Sequence, residues 1–130
     1  MLLNLETDYA IRIVSCLAEA EGRLDAKSIA AKTGVTPKFT LKILHGLVSG
    51  GVVQSYKGAN GGYTLAREPQ EITLLEVVEL VCGPLEISQC QRGSDGGCTH
   101  PDGLCRFRGV FGEVSACMKE KFSTVTFKIK

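Results

Sequence analysis

Apolar residues recur with a helical period near the start of the chain. Tyr9, Ile13 and Leu17 fall on one side of a helix predicted from about Thr7 to Glu19, and Ile11, Val14 and Ala18 on another. Apolar surface on two sides suits a helix covered by two neighbours, for example a core and a partner subunit. After a connection at 21–24, a second helix is predicted from Ala26 to Lys32, with Asp25 as the cap acceptor for its first free N–H groups. Thr33-Gly34-Val35-Thr36-Pro37 then ends one helix and starts another within a few residues. Gly34 can take the left-handed conformation that stops a helix, Thr36 can cap the next, and Pro37 suits its first turn. This third helix runs to about Ser49 with Phe39, Ile43, Leu44 and Leu47 on its inner face, and Gly50-Gly51 stops it.

Two helices joined by a short glycine-bearing turn form a helix-turn-helix pattern. Val52–Tyr56 and Tyr63–Ala66 then read as strands, and the glycine-rich stretch between them as their loop. The predicted class is mainly α with a small β-hairpin wing, a winged helix-turn-helix over residues 1–66. In such a unit the outward positions of the third helix, Lys38, Leu41, Lys42 and His45, face a major groove. Lys27, Ser28 and Thr36 are further candidate DNA contacts. At the wing tip, Lys57, Gly58, Asn60, Gly61 and Gly62 let the backbone approach phosphates or enter a minor groove. The same loop is also compatible with an ordinary surface hairpin, and His45 and Tyr63 with a surface and a packing residue. No Gly-Lys-Ser/Thr follows the loop, so it is not a nucleotide P-loop.

In residues 67–130 the pattern changes. Thr73 to Glu76 is a capping box that opens a helix to Cys82, where Gly83-Pro84 breaks it. No sustained period appears from Gly83 to Leu104, a stretch that holds Cys90, Cys98 and Cys105 in the spacing Cys-x7-Cys-x6-Cys, with glycines between. A long helix is predicted from Arg106 to Lys121 through Phe107, Val110, Phe111, Val114 and Met118. It suits pairing with its own copy in a homodimer reading a two-fold site, or packing against the first helix. The second region is thus a cysteine loop followed by a long C-terminal dimerisation helix.

Charge changes the picture by its position. Fifteen Lys and Arg against fourteen Asp and Glu give a formal charge of +1 in 130 residues, which excludes a uniformly basic binder. Yet no acid occurs from Ala26 through Arg67, while Lys27, Lys32, Lys38, Lys42, Lys57 and Arg67 do. That is the footprint of a compact anion-facing surface, or of a solvated lysine face. No apolar run approaches a membrane span, and Glu6, Asp8 and Arg12 interrupt the N-terminal stretch that a leader would need. The expected location is the cytoplasm, with no membrane partner.

In that compartment six cysteines suggest metal binding, redox chemistry or burial rather than disulfides. Cys16, Cys82 and Cys117 sit within helical patterns and read as small core or interface residues. Cys90, Cys98 and Cys105 do not. Their spacing is not the Cys-x2-Cys of a zinc ribbon or ferredoxin, and three thiolates are one short of four ligands. A fourth ligand could be His100, Asp102, Asp8 or solvent. Zinc binding, thiol–disulfide switching, or an iron–sulfur electron or cluster carrier without a DNA role all stay open. No nucleophile–base constellation is present, so an enzyme is not expected.

These residues together resemble the Rrf2 family of bacterial winged-helix regulators. The resemblance rests on Asp8-Tyr9-Ala10, Ile29-Ala30, Lys42-Ile43-Leu44, the wing from Ser55 to Ala66, and Cys90, Cys98 and Cys105 before a long helix. The wing is close to the family pattern S-x-R/K-G-x-x-G-G-Y-x-L-A. The resemblance implies a homodimer on double-stranded, palindromic promoter DNA. It also implies an iron–sulfur cluster, two-iron or four-iron, held by Cys90, Cys98 and Cys105. Such a group reports iron, nitric oxide, redox or cluster status. IscR-like members place a histidine shortly after the third cysteine; here Arg106, Phe107 and Arg108 stand there. NsrR-like members use an aspartate from the partner's first helix, a position matched by Asp8. The wide cysteine spacing is closer to RirA-like members.

Overall fold

The computed structural model describes residues 3–87 and 107–128. Helix α1 spans Leu5–Glu19, α2 Ala26–Thr33 and α3 Pro37–Ser49; strands β1 (Val53–Tyr56) and β2 (Gly62–Leu65) follow. A 3-10 turn at Pro69–Glu71 leads into α4 (Leu74–Cys82), and α5 spans Arg108–Thr124. The two strands pair antiparallel with Val53 opposite Leu65 and Tyr56 opposite Gly62. Mainly helical with one hairpin, this is the winged-helix arrangement expected from the sequence.

Local chemistry sets the helix boundaries. Asp25 Oδ1 accepts from the Ser28 N–H at 2.7 Å, and the Thr36 hydroxyl accepts from the Phe39 N–H at 3.4 Å. Gly34 ends α2 at φ 77°, the left-handed conformation that costs glycine nothing. Helix α1 begins two residues before the expected Thr7. Asn4 caps it, its Oδ1 accepting from the Thr7 N–H at 2.8 Å. Leu5 in that added turn is exposed, so the apolar period could not reveal it. The capping box at α4 is half made: the Thr73 hydroxyl accepts from the Glu76 N–H at 3.1 Å, but the Glu76 carboxylate pairs with Arg67.

One core joins both halves of the chain. Ile13, Val14 and Leu17 of α1 meet Ile29, Leu44, Leu47, Val52, Ile72 and Val77, all buried, and Phe127 closes the cluster from beyond α5. Each such side chain contributes roughly 1.5–3 kcal/mol by leaving water, and truncating Leu44 to alanine costs about 2–5 kcal/mol. Phe127 is held there because its N–H donates to the Pro69 and Ile72 carbonyls, both at 3.2 Å. In α3 the buried positions are Thr40, Ile43, Leu44 and Leu47. Phe39, expected on the inner face, is instead 38% exposed and packs edge-on against Tyr9 at 5.9 Å, because Thr40 takes the inward position of that turn.

Helix α5 differs from the rest. Its buried residue is Ser115, whereas Val110 and Val114 are 53% and 43% exposed. Cys117, also exposed, continues that stripe at helical spacing. Packing among the described residues leaves this apolar stripe exposed.

Candidate nucleic-acid interface and metal ligands

The inward register of α3 fixes what points outward. With 40, 43, 44 and 47 in the core, Lys38, Leu41, Lys42 and His45 form the opposite stripe, and all four are exposed. Pro37 at the first turn and the Thr36 cap hold the start of the helix. Leu41, Lys42, His45 and Val48 share a groove of about 490 Å³ with Ser55 and Tyr63 of the hairpin. The outer side of α3 and the wing therefore form one continuous surface.

The wing is built against the α1–α2 connection. Leu24 bridges Tyr63 through two hydrogen bonds, Leu24 N–H to the Tyr63 carbonyl at 3.1 Å and Tyr63 N–H to the Leu24 carbonyl at 2.8 Å. Gly62 is buried at this crossing with φ 149°, and a Cβ there would stand 2.8 Å from the Leu24 carbonyl oxygen. At the tip, the Gly61 N–H donates to the Gly58 carbonyl at 3.0 Å. Lys57, Gly58 and Asn60 are exposed there, while Gly61 is half-buried.

Arg23 was not singled out by the sequence, yet it organises the tip. Its guanidinium lies 3.7 Å from the Tyr56 ring centroid and donates to the Asn60 carbonyl at 3.1 Å. Lys27 is exposed and Ser28 half-buried at the start of α2, where the Ser28 N–H serves the Asp25 cap. Lys42 pairs with Glu6 at 2.7 Å. Arg67, counted with the basic stretch, turns instead to Glu76 and to the Glu71 carbonyl.

Cys90, Cys98 and Cys105, with His100 and Asp102, lie outside the described residues. Asp8 is described: it is exposed on α1 and forms an ion pair with Arg12 at 2.9 Å. Among the described residues no group of three or more His, Cys, Asp or Glu is placed to hold a metal ion. Cys16 is half-buried, and burial pushes its thiol pKa up, Lys32 opposing and Glu19 adding to the rise. It is a poor thiolate. The Cys82 sulfur instead meets the buried Thr7 hydroxyl at 2.6 Å. These two cysteines act as packing groups. Of the candidate metal ligands, only Asp8 therefore lies among the described residues.

Residues 3–129 match a family model described as "Rrf2: Iron-dependent Transcriptional regulator". The HTH-type transcriptional regulator NsrR of Shouchella clausii is 32% identical over 131 residues, covering 98% of this chain and 87% of that protein. Protein rrf2 of Nitratidesulfovibrio vulgaris is 28% identical, with 97% and 84% covered. Among solved structures, CymR, the global cysteine regulator of B. subtilis, superimposes with a TM-score of 0.79 at 24% identity over 98% of this chain and 94% of that one. T. potens IscR does so with a TM-score of 0.76 at 24% identity, covering 98% and 83%.

Proposed function

Since the chain belongs to the Rrf2 family of winged-helix transcriptional regulators and is not an enzyme, we propose that it binds promoter DNA as a homodimer under the control of an iron–sulfur cluster. The observation that carries the DNA reading is the single exposed surface shared by the outer stripe of α3 and the wing. A helix presenting Lys38, Leu41, Lys42 and His45 fits a B-form major groove, while Lys57, Gly58 and Asn60 reach an adjacent backbone or minor groove. Residues 1–66 supply this DNA-binding region, and residues 67–130 the sensing loop and dimer helix. Lys27, Ser28 and Thr36 lie at the starts of α2 and α3, where a passing phosphate would meet the positive end of a helix dipole. Gly61 and Gly62 keep the wing thin.

Cys90, Cys98 and Cys105 would hold the cluster, with Asp8 of the partner subunit as fourth ligand. When bound, that group supplies an iron- and redox-labile centre sensitive to iron, nitric oxide, oxygen or cluster supply. The protein's own contribution is to tie sensing to DNA contact. Asp8 sits on α1 beside Arg12, and Arg12 also donates to the Thr33 carbonyl at the end of α2 at 3.4 Å. A change at Asp8 thus reaches the turn that sets α3. No helix among the described residues is long and apolar enough to cross a membrane, and such a regulator works in the cytoplasm.

The test is anaerobic purification with absorption, iron and acid-labile sulfide measured together. Iron and sulfide lost on replacing Cys98 with Ala support the reading. Bound zinc, or DNA binding that follows thiol oxidation in colourless protein, favours the zinc or disulfide alternative. A cluster without salt-sensitive binding to promoter DNA favours the carrier alternative.

A further inference from the structure

In sequence, the stretch from Ala26 through Arg67 contains no acid. The fold nevertheless delivers one to that surface. Glu6, from the first turn of α1, accepts a hydrogen bond from the Lys42 ammonium at 2.7 Å, the two side chains being 35% and 65% exposed. A carboxylate is favoured at that helix end by the α1 dipole. Glu6 is also seated in the wall of a cleft of about 170 Å³ with Gly46, Leu47, Leu80 and Val81. On its other side, Lys42 lies 5.9 Å from the Phe39 ring.

We infer that Glu6 is an intrachain competitor with DNA phosphate for Lys42, and so a residue that sets the ratio of specific to non-specific binding. The inference rests on the assignment of α3 to the DNA face. An exposed ion pair of this kind is weak and readily exchanged. On any duplex, Lys42 must leave the carboxylate before it neutralises a phosphate, and the freed carboxylate then faces a polyanion. Non-specific binding, which is almost wholly phosphate neutralisation, loses part of that contact. A site that places Lys42 against base edges gains enough elsewhere to break the pair. Glu6 thereby damps binding where the sequence is wrong.

The test uses the full chain, a labelled random-sequence duplex of roughly 30 base pairs, and salt titration of the binding constant for Glu6→Gln, Lys42→Gln and the double variant. Glu6→Gln should tighten binding and steepen the log–log salt slope by about one unit per DNA-bound protomer. Lys42→Gln should weaken binding, and Glu6→Gln should have a much smaller effect in that background. An unchanged slope for Glu6→Gln, or an effect of equal size with and without Lys42, overturns the competition while leaving α3 on the DNA. Unchanged binding by Lys42→Gln overturns the α3 assignment and the inference with it.

Discussion

Arg23 stacks its guanidinium 3.7 Å from the centre of the Tyr56 ring and hydrogen-bonds the Asn60 carbonyl, clamping the wing from the α1–α2 connection. The stack and the hydrogen bond act at opposite ends of the loop 57–61, so losing both frees the tip. Arg23→Ala should lower unfolding free energy by about 0.5–1 kcal/mol and weaken DNA binding several-fold. Arg23→Lys keeps the charge but loses the planar stack and fork, and should recover little of the stability. Urea unfolding and fluorescence anisotropy on the same variants check both effects.

Gly62 is fixed by the backbone of Leu24. With φ 149° and a Cβ position 2.8 Å from the Leu24 carbonyl oxygen, Gly62→Ala combines backbone strain with a clash against main chain. A loss of about 1–3 kcal/mol is expected by urea denaturation. Gly58→Ala lacks the clash, since its Cβ would meet nothing within 4 Å, though its φ of 97° still strains it. It should cost less.

Asp25 gives stability an acid limit. Its pKa is lowered in the folded chain by side-chain and backbone hydrogen bonds from Ser28, with Lys27 assisting. Folding thus favours the charged form, and the contribution is complete above the unfolded-state pKa. It disappears as pH falls through the lower, folded value. Asp25→Ala should therefore be less stable than the parent at neutral pH, and the gap should close as acid is added. Urea midpoints measured across the carboxylate range test this.

On the proposed reading, the exposed stripe of α5 meets the partner subunit of the homodimer. Val110 and Val114 are exposed in the single chain, and covering each recovers about 25 cal/mol per Å² of apolar surface. Val110→Asp with Val114→Asp should convert a dimer to a monomer in light scattering, with the far-ultraviolet helix signal retained. DNA affinity should fall at the same time, because one half-site remains per protein.

What was legible in the sequence was what is local. The caps at Asp25, Thr36 and Thr73 and the stop at Gly34 depend on neighbours a few residues away, and these were read directly. Pairs distant in sequence were not: Lys42 finds Glu6 36 positions away and Arg23 finds Asn60 at 37. Composition placed Arg67 on the basic face, but the carboxylate of Glu76 draws it off. The sequence predicts Gly62 as a loop glycine suited to DNA, and the backbone of Leu24, bridged to Tyr63, adds a steric reason that no hairpin pattern carries. On α3 the period places Ile43, Leu44 and Leu47 correctly, but Thr40 rather than Phe39 fills the inward position of the first turn. The helix of Val110 and Val114 was recognisable, but periodicity could not say whether its apolar side meets this chain or another. The proposed ligands Cys90, Cys98 and Cys105 stand out in the sequence by falling outside every helical pattern, and they lie outside the described residues.

Coupling between cluster and DNA is tested most directly by anaerobic footprinting on the promoters of the source genome with one protein preparation, before and after iron removal. Protected palindromic sites are expected, with occupancy that changes at least several-fold between the two forms. Replacing Cys90, Cys98 or Cys105 with Ala should abolish the change while leaving a salt-sensitive complex. Identical protection by the iron-loaded and iron-free forms would contradict the coupling.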